Sequence, residues 1–303
     1  MTASLLLIVN PHSSKKATGR NWPKFEPALR RILPPFNVAR TKHAGDAIDL
    51  AAEAADRYET IAAVGGDGTI SEVANGILNS GCQTALGIIP RGTGSDLVRT
   101  LSISHKLGGA ARILARGHRR TIDVGRATFL DPAGEERSRW FINAAEVGFG
   151  AMVSDAVNQP GRWLPGPAAF MWAIIKTLFR FKPSDVTITI DSSSPRTILL
   201  NNAWAANGCY SGGGIRSAPR ALMDDGLLDF VVAEHASLLV RLSGLPKFRS
   251  GKFTEMRHVQ YSQAKTATFT AETPQLVELD GDVVGTTPVR FEVVPAGLTV
   301  VAP

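Results

Sequence analysis

Two glycine-rich strings constrain this chain more than any other feature. Gly65-Gly66-Asp67-Gly68-Thr69 follows the apolar run Thr60–Val64, and Arg91-Gly92-Thr93-Gly94-Ser95-Asp96 follows the apolar run Ala85–Ile89. Each string opens a helical pattern, so strand, tight turn and helix occur twice in that order, as in a parallel α/β sheet. The residues before and between them keep the alternation: strand Leu5–Val9, helix Trp22–Leu33, strand Asn37–Arg40, helix Ala44–Asp56 and helix Ile70–Leu78. Near Thr121 the pattern changes to β-branched runs between turn residues at 131–134, 192–195 and 280–281, with one helix expected at about Pro167–Phe181. The expected fold is an α/β nucleotide-binding domain with a parallel sheet over residues 1–124. A mainly antiparallel β-rich domain over 125–294 follows it, and a last strand within about 295–303 is free to return to the first domain.

Glycine at such turns lets the backbone approach a phosphate closely, and the following helix offers unpaired N–H groups and the positive end of its dipole. One such loop is equally well a plain strand-to-helix turn. Two of them at the carboxyl ends of parallel strands converge on one crevice, where ligands of open α/β sheets bind. Neither a Walker string ending in Gly-Lys-Ser/Thr nor a Gly-x-Gly-x-x-Gly fingerprint is present, so the nucleotide site is of another type.

The rest of the composition excludes more than it selects. Apolar residues make up 44% of the 303 and charged residues 20%, enough for a buried core. The net charge of +6 and pI near 9.5 suit phosphate-rich or anionic-membrane partners without choosing between them. Cys82 and Cys209 are the only cysteines, which excludes a disulfide framework and points to the cytosol. The run Leu5–Val9 lacks a basic segment before it and reads as a buried strand rather than a signal peptide. The run Ala168–Ile175 stops at Lys176, well short of the ~20 residues that a membrane span needs. Histidines 12, 43, 105, 118, 235 and 258 show no paired metal spacing and read as surface or capping residues, with His43 near a nucleotide. No Gly-x-Ser-x-Gly elbow is present. The basic stretch Arg112–Arg120 lacks interleaved aromatics, so no nucleic-acid partner is expected.

Taken together, these strings resemble a known family. Asn10-Pro11 after the first strand, Thr41 before a helix, Gly65–Thr69 and Gly92–Asp96 are similar to the catalytic domain of diacylglycerol and sphingosine kinases, above all the bacterial lipid kinases of that family. The likeness continues in order through Phe141-Ile142-Asn143, Ala206-Asn207-Gly208, Gly212–Gly214, Ala218-Pro219, Asp224–Asp229 and Asp280-Gly281-Asp282. It implies a β-sandwich-like second domain that handles the lipid, with ATP between the domains. It assigns ATP contact to Asn10, Pro11, His12, Ser13, Ser14, Thr41, Gly65, Gly66, Asp67, Gly68, Thr69, Ile70, Ser71, Glu72 and Thr93. It also implies Mg2+ held by Asp225 with the backbone carbonyls of Leu222 and Leu227.

Phosphoryl transfer needs neutralised phosphate charge, an aligned hydroxyl and a place for its proton. Asp67 stands in the phosphate string, where a carboxylate is repulsive unless a cation or proton intervenes; helix capping is its structural alternative. Asp224-Asp225-Gly226 also reads as a turn into a strand, and Asp280-Gly281 as a hairpin turn. The family motif at 280–282 usually ends in Glu, the general base, and here ends in Asp282, so Asp67 and Asp282 both stand as candidate bases. Ser95 stands where the family commonly has Asn. The helix Pro167–Phe181 carries Phe170, Trp172, Ile174, Ile175, Leu178, Phe179 and Phe181 with Lys176, Arg180 and Lys182 towards one end. It suits core packing, or an apolar wall for a lipid chain or interfacial contact. The expected activity is ATP- and Mg2+-dependent phosphorylation of a lipid hydroxyl such as that of diacylglycerol, by a cytoplasmic protein in peripheral contact with the inner membrane face. The rivals are a kinase of a soluble metabolite, akin to NAD kinases, and a nucleotide-binding regulator without catalysis. No feature of the sequence sets an oligomeric state.

Overall fold

The computed structural model describes residues 3–92, 94–158 and 166–303. The chain divides into two compact units, Met1–Val124 with Pro295–Pro303, and Gly125–Val294.

The first unit alternates β1 (Ala3–Val9), α1 (Ala17–Arg30), β2 (Asn37–Arg40), α2 (Asp46–Ala54), β3 (Tyr58–Gly65), α3 (Asp67–Ser80), β4 (Ala85–Pro90), α4 (Asp96–Thr100) and α5 (Leu107–Arg116). β1 lies between β2 and β3, β3 pairs with β4, and all three pairings are parallel. Strands of this kind are covered on both faces, which is why Leu5–Val9 and Ala85–Pro90 are apolar without alternation and wholly buried. Helices α2 and α3 pack so closely that a β-carbon at Gly76 would lie 2.3 Å from the Ile48 carbonyl oxygen. The small Ala47, Ala51 and Ala54 form the facing side of α2 and are almost fully buried.

β5 (Arg119–Leu130) leads into the second unit. There follow β6 (Glu136–Phe141), β7 (Ala144–Gly148), α6 (Phe149–Asn158), α7 (Gly166–Arg180), β8 (Ser184–Ile190), β9 (Arg196–Ala206) and β10 (Leu228–Glu234). After α8 (Leu238–Gly244) and two short 3-10 turns come β11 (Val259–Ala264), β12 (Thr266–Thr270), β13 (Leu276–Leu279) and β14 (Asp282–Val301). Pairing in this unit is antiparallel, including β5 with β6, β7 with β9 and β13, and β10 with β9 and β11. Its core holds Phe141, Phe269 and Phe291 in edge-on contact, with centroids 5.9 Å apart for Phe141–Phe291 and 5.8 Å for Phe269–Phe291.

The second unit holds three α-helices among its described residues rather than one. Phe149–Asn158 carries Val153 and Val157, β-branched residues that suit a strand on propensity alone. Its helical form places Val153 against Ala173 and Ile174 of α7, so packing overrides propensity. The side chains of Phe170 and Phe179 on α7 lie outside the described residues.

The last part of β14 belongs to the first unit. Val300 pairs in parallel with Leu86 of β4, and Leu298, Val300 and Val301 are buried.

Candidate active site

In the first unit the sequence-assigned nucleotide residues gather at the carboxyl ends of β1 to β4. Asn10 follows β1 and is anchored on both sides: its backbone N–H donates to the Val64 carbonyl (3.0 Å), and its amide Nδ2 donates to Thr69 Oγ1 (2.9 Å). Asn10 Oδ1 then accepts from the His12 backbone N–H at 2.9 Å. Pro11 sits within the same bend, where its carbonyl accepts the Gly19 N–H at 3.1 Å. Ser13 Oγ donates to the Asn10 carbonyl (2.9 Å) and Ser14 Oγ to the Arg91 carbonyl (2.8 Å), so the first loop is tied to the second glycine string. Thr41, at the end of β2, is buried and donates its N–H to the Val9 carbonyl at 3.0 Å.

The two glycine strings touch. A β-carbon on Gly92 would sit 2.6 Å from the Gly66 Cα, and one on Gly66 would sit 3.4 Å from the Gly92 Cα. Backbone thus packs directly on backbone, which no side chain at Gly92 would permit. Gly66 is the N-cap of α3, and Asp67-Gly68-Thr69 form its first turn rather than a loop. Thr69 and Ser71 are buried, as is Ile70, and Gly68 faces open space. Glu72 Oε1 accepts the Gly45 N–H at 2.9 Å, which fixes the entry to α2. Thr93 lies outside the described residues.

Asp67 is not the helix cap. Its Oδ2 reaches across to the second string and accepts the Ser95 N–H at 2.6 Å. Its Oδ1 is buried and accepts no hydrogen bond from the described residues. Burial, and next the Asp96 carboxylate nearby, push the Asp67 carboxyl above its ordinary range. Asp96 is itself held by Arg99, whose Nη1 donates to Asp96 Oδ1 at 2.6 Å. A buried, unpartnered carboxylate oxygen beside touching glycine loops fits a hard cation or a hydroxyl proton. The Asp96–Arg99 pair escapes sequence reasoning, because an acid three residues before an arginine is common on any helix surface.

In the second unit Asp280 and Gly281 form the turn between β13 and β14, both with positive φ (50° and 100°), the backbone of a type I′ hairpin. Asp280 accepts backbone N–H bonds from Ile142 (2.9 Å), Asn143 (2.9 Å) and Ala144 (3.2 Å). It is therefore a structural residue that pins the turn to the start of β7. Asp282, the next residue but one, projects into partial exposure and accepts from Arg139 Nη2 at 2.9 Å. Behind the turn lie two buried carboxylates, Glu278 on β13 and its direct cross-strand neighbour Glu146 on β7. Burial, followed by repulsion from Glu146, holds Glu278 well above the usual carboxylate range. Gly281 N–H donates to Glu278 Oε1 and Asn202 Nδ2 to Glu146 Oε2. Nothing in the sequence flags Arg139, Glu146 or Glu278, because their partners are distant along the chain.

Asp225 lies in the exposed turn before β10. Its Oδ1 accepts the Leu227 N–H (3.0 Å) and its Oδ2 the Gln263 amide (3.3 Å). Leu222 beside it is 57% exposed. Among the described residues no three His, Cys, Asp or Glu side chains cluster as a metal site. A cation here would rest on one carboxylate with backbone carbonyls.

Residues 4–127 match the diacylglycerol kinase catalytic domain, and residues 143–302 match the YegS C-terminal NAD kinase beta sandwich-like domain. This chain belongs to the bacterial diacylglycerol kinase and YegS-like lipid kinase family. A Mycobacterium tuberculosis protein named diacylglycerol kinase is 33% identical over 281 residues, 88% of each chain. A Chromohalobacter salexigens protein described as a candidate YegS-like lipid kinase is 30% identical over 276 residues, 88% of this chain and 83% of its own. Among solved structures, that of a candidate diacylglycerol kinase from Bacillus anthracis superposes with a TM-score of 0.79 at 25% identity, covering 99% of this chain and 97% of its own. The family's two domains are thus both present in order, the second sandwich-like.

Proposed function

We propose that this member of the lipid kinase family transfers the γ-phosphoryl group of ATP to the hydroxyl of a lipid alcohol such as diacylglycerol, using Mg2+. The observation that carries the reading is the Gly66–Gly92 contact with the buried Asp67 oxygen beside it. Touching glycine backbones leave room for phosphate oxygens, and Asp67 Oδ1 supplies the carboxylate that a phosphate-bound cation requires. Mg2+ bound to the phosphates would neutralise their charge. Asp225 with the Leu222 and Leu227 carbonyls is the second proposed cation position. In the reaction the acceptor oxygen bonds to Pγ, the bond from Pγ to the bridging oxygen breaks, ADP leaves, and the hydroxyl proton passes to a carboxylate, Asp282 or Asp67. Asp282 keeps the carboxylate of the family's usual Glu one methylene shorter, and Arg139 orients it.

The second domain's likeness to NAD kinase sandwiches keeps a soluble acceptor as the specific rival. Incubation with radiolabelled ATP, Mg2+ and a panel of lipid and soluble alcohols separates the readings. Label in the organic phase supports the lipid kinase, label only in aqueous product supports the rival, and ATP binding without transfer supports a regulator.

A further inference from the structure

Eight large apolar side chains stand exposed among the described residues, and six of them cluster on two helices of the second unit: Trp172 and Ile175 on α7, and Leu238, Leu239, Val240 and Leu242 on α8. Leu239 is the extreme, at 79% exposed. The two helices are linked through Leu245, which packs on the Ala173–Ile174 cluster of α7 just after α8 ends. Helix α8 exposes all four of its large apolar side chains and buries only Gly244, which water alone does not favour.

Charge follows the same segments. Residues 172–182 carry Lys176, Arg180 and Lys182 and no acid. Residues 238–258 carry Arg241, Lys247, Arg249, Lys252 and Arg257 against Glu255 alone. These two segments hold eight of the chain's 33 basic and one of its 27 acidic residues, so the remainder, 25 basic and 26 acidic, is close to neutral. The basic character of the whole chain is concentrated here. All of these cations are exposed except Arg241, which is half-buried and donates to Asn201 Oδ1.

We infer that the α7–α8 face, with the segment that follows α8, is a docking surface for an anionic lipid bilayer, with the leucines entering the headgroup layer and the flanking lysines and arginines pairing with anionic headgroups. Exposed leucines on segments rich in exposed cations are the combination that such a surface rewards. A second copy of the chain fits less well, because a two-fold contact would set the same cationic face against itself. The inference rests on the lipid-kinase reading for the need to meet a bilayer, and on its own residues for the surface.

The test uses the full-length protein and vesicles of phosphatidylcholine with or without phosphatidylglycerol. The wild type should co-sediment with the anionic vesicles, weakly with neutral ones, and less as salt is raised. Leu239→Glu with Leu242→Glu should cut anionic-vesicle partition by at least about tenfold. Lys247→Glu with Arg249→Glu should do so at roughly fivefold or more per residue. Circular dichroism melts check that both pairs fold. Equal binding by wild type and both variants, no wild-type binding at low salt, or binding indifferent to phosphatidylglycerol would each overturn the docking surface. So would a wild-type dimer in the absence of lipid that Leu239→Glu makes monomeric. Phosphorylation of a short-chain, water-dispersed diacylglycerol should be unchanged in the variants while that of vesicle-embedded diacylglycerol falls. If the wild type phosphorylates neither acceptor but the vesicle-binding results hold, the kinase reading fails and the docking surface stands.

Discussion

Asp67 has one oxygen committed to the Ser95 N–H and one buried without a partner among the described residues. That asymmetry predicts opposite effects on rate and stability. Asp67→Asn should lower kcat by about 10²–10⁴-fold if the carboxylate serves the chemistry. In the ligand-free protein the same change should not lower the melting temperature, because Asn Oδ1 still accepts from Ser95. The Asp67 carboxyl titrates above its ordinary value in the folded state, so its favourable share of stability is present at low pH and lost as pH rises through the raised value. The melting advantage of Asp67→Asn should therefore be visible at neutral pH and fade towards pH ~4. A melt that falls by several degrees at pH 7 would show a structural Asp67. Asp282→Asn should cost a similar factor in kcat, and Asp282→Glu should retain much of the activity, if Asp282 is the proton acceptor. Wild-type turnover by both Asn variants would place the base elsewhere. Gly66→Val should abolish ATP affinity measured by calorimetry without unfolding the chain, since its branched side chain points at Gly92 across a gap already near contact.

The hairpin of β13 and β14 shows two acids, one residue apart, with different duties. Asp280 gathers three backbone N–H groups from the start of β7, and bonds of this charge-assisted kind contribute roughly 1.5–3 kcal/mol each at most. Asp280→Ala should destabilise by about 2–4 kcal/mol on that basis, read as a drop in the denaturant midpoint, with a larger cost than Asp282→Ala. The Asp282–Arg139 pair is partly exposed and adds at most about 1 kcal/mol. A sequence reader sees the Asp-Gly turn at once, since positive φ at both turn positions favours those residues. The division of labour between Asp280 and Asp282 is invisible there, because it depends on β7, far along the chain. The glycine strings were legible for the same reason as the turn: close backbone approach leaves few residue choices. Helix limits were less so. α1 begins at Ala17 and runs through Pro23 and Pro27, residues that locally argue against a helix, and α3 absorbs Asp67–Thr69 into its first turn. The exposed leucines of α8 were missed because an apolar run reads as buried until the neighbours that fail to cover it are known.

The first unit is assembled from both ends of the chain. Its sheet takes Val300 beside Leu86, its core takes Val301, and Ala302 N–H donates to the His118 carbonyl at 3.2 Å. Burying Leu298, Val300 and Val301 contributes roughly 1.5–3 kcal/mol each as an upper estimate, a sum comparable to the ~5–15 kcal/mol stability of an ordinary domain. Residues 1–124 expressed alone should therefore melt far below the intact protein or fail to fold. A rearranged chain that joins 295–303 through a glycine-serine linker ahead of residue 3 should recover the transition. Equal melting of the 1–124 fragment and the full chain would show the last strand to be dispensable. During synthesis the ribosome delivers that closing strand only after the sandwich residues have been made, so the nascent nucleotide-binding half waits with the β4 edge open until residues 295–303 emerge.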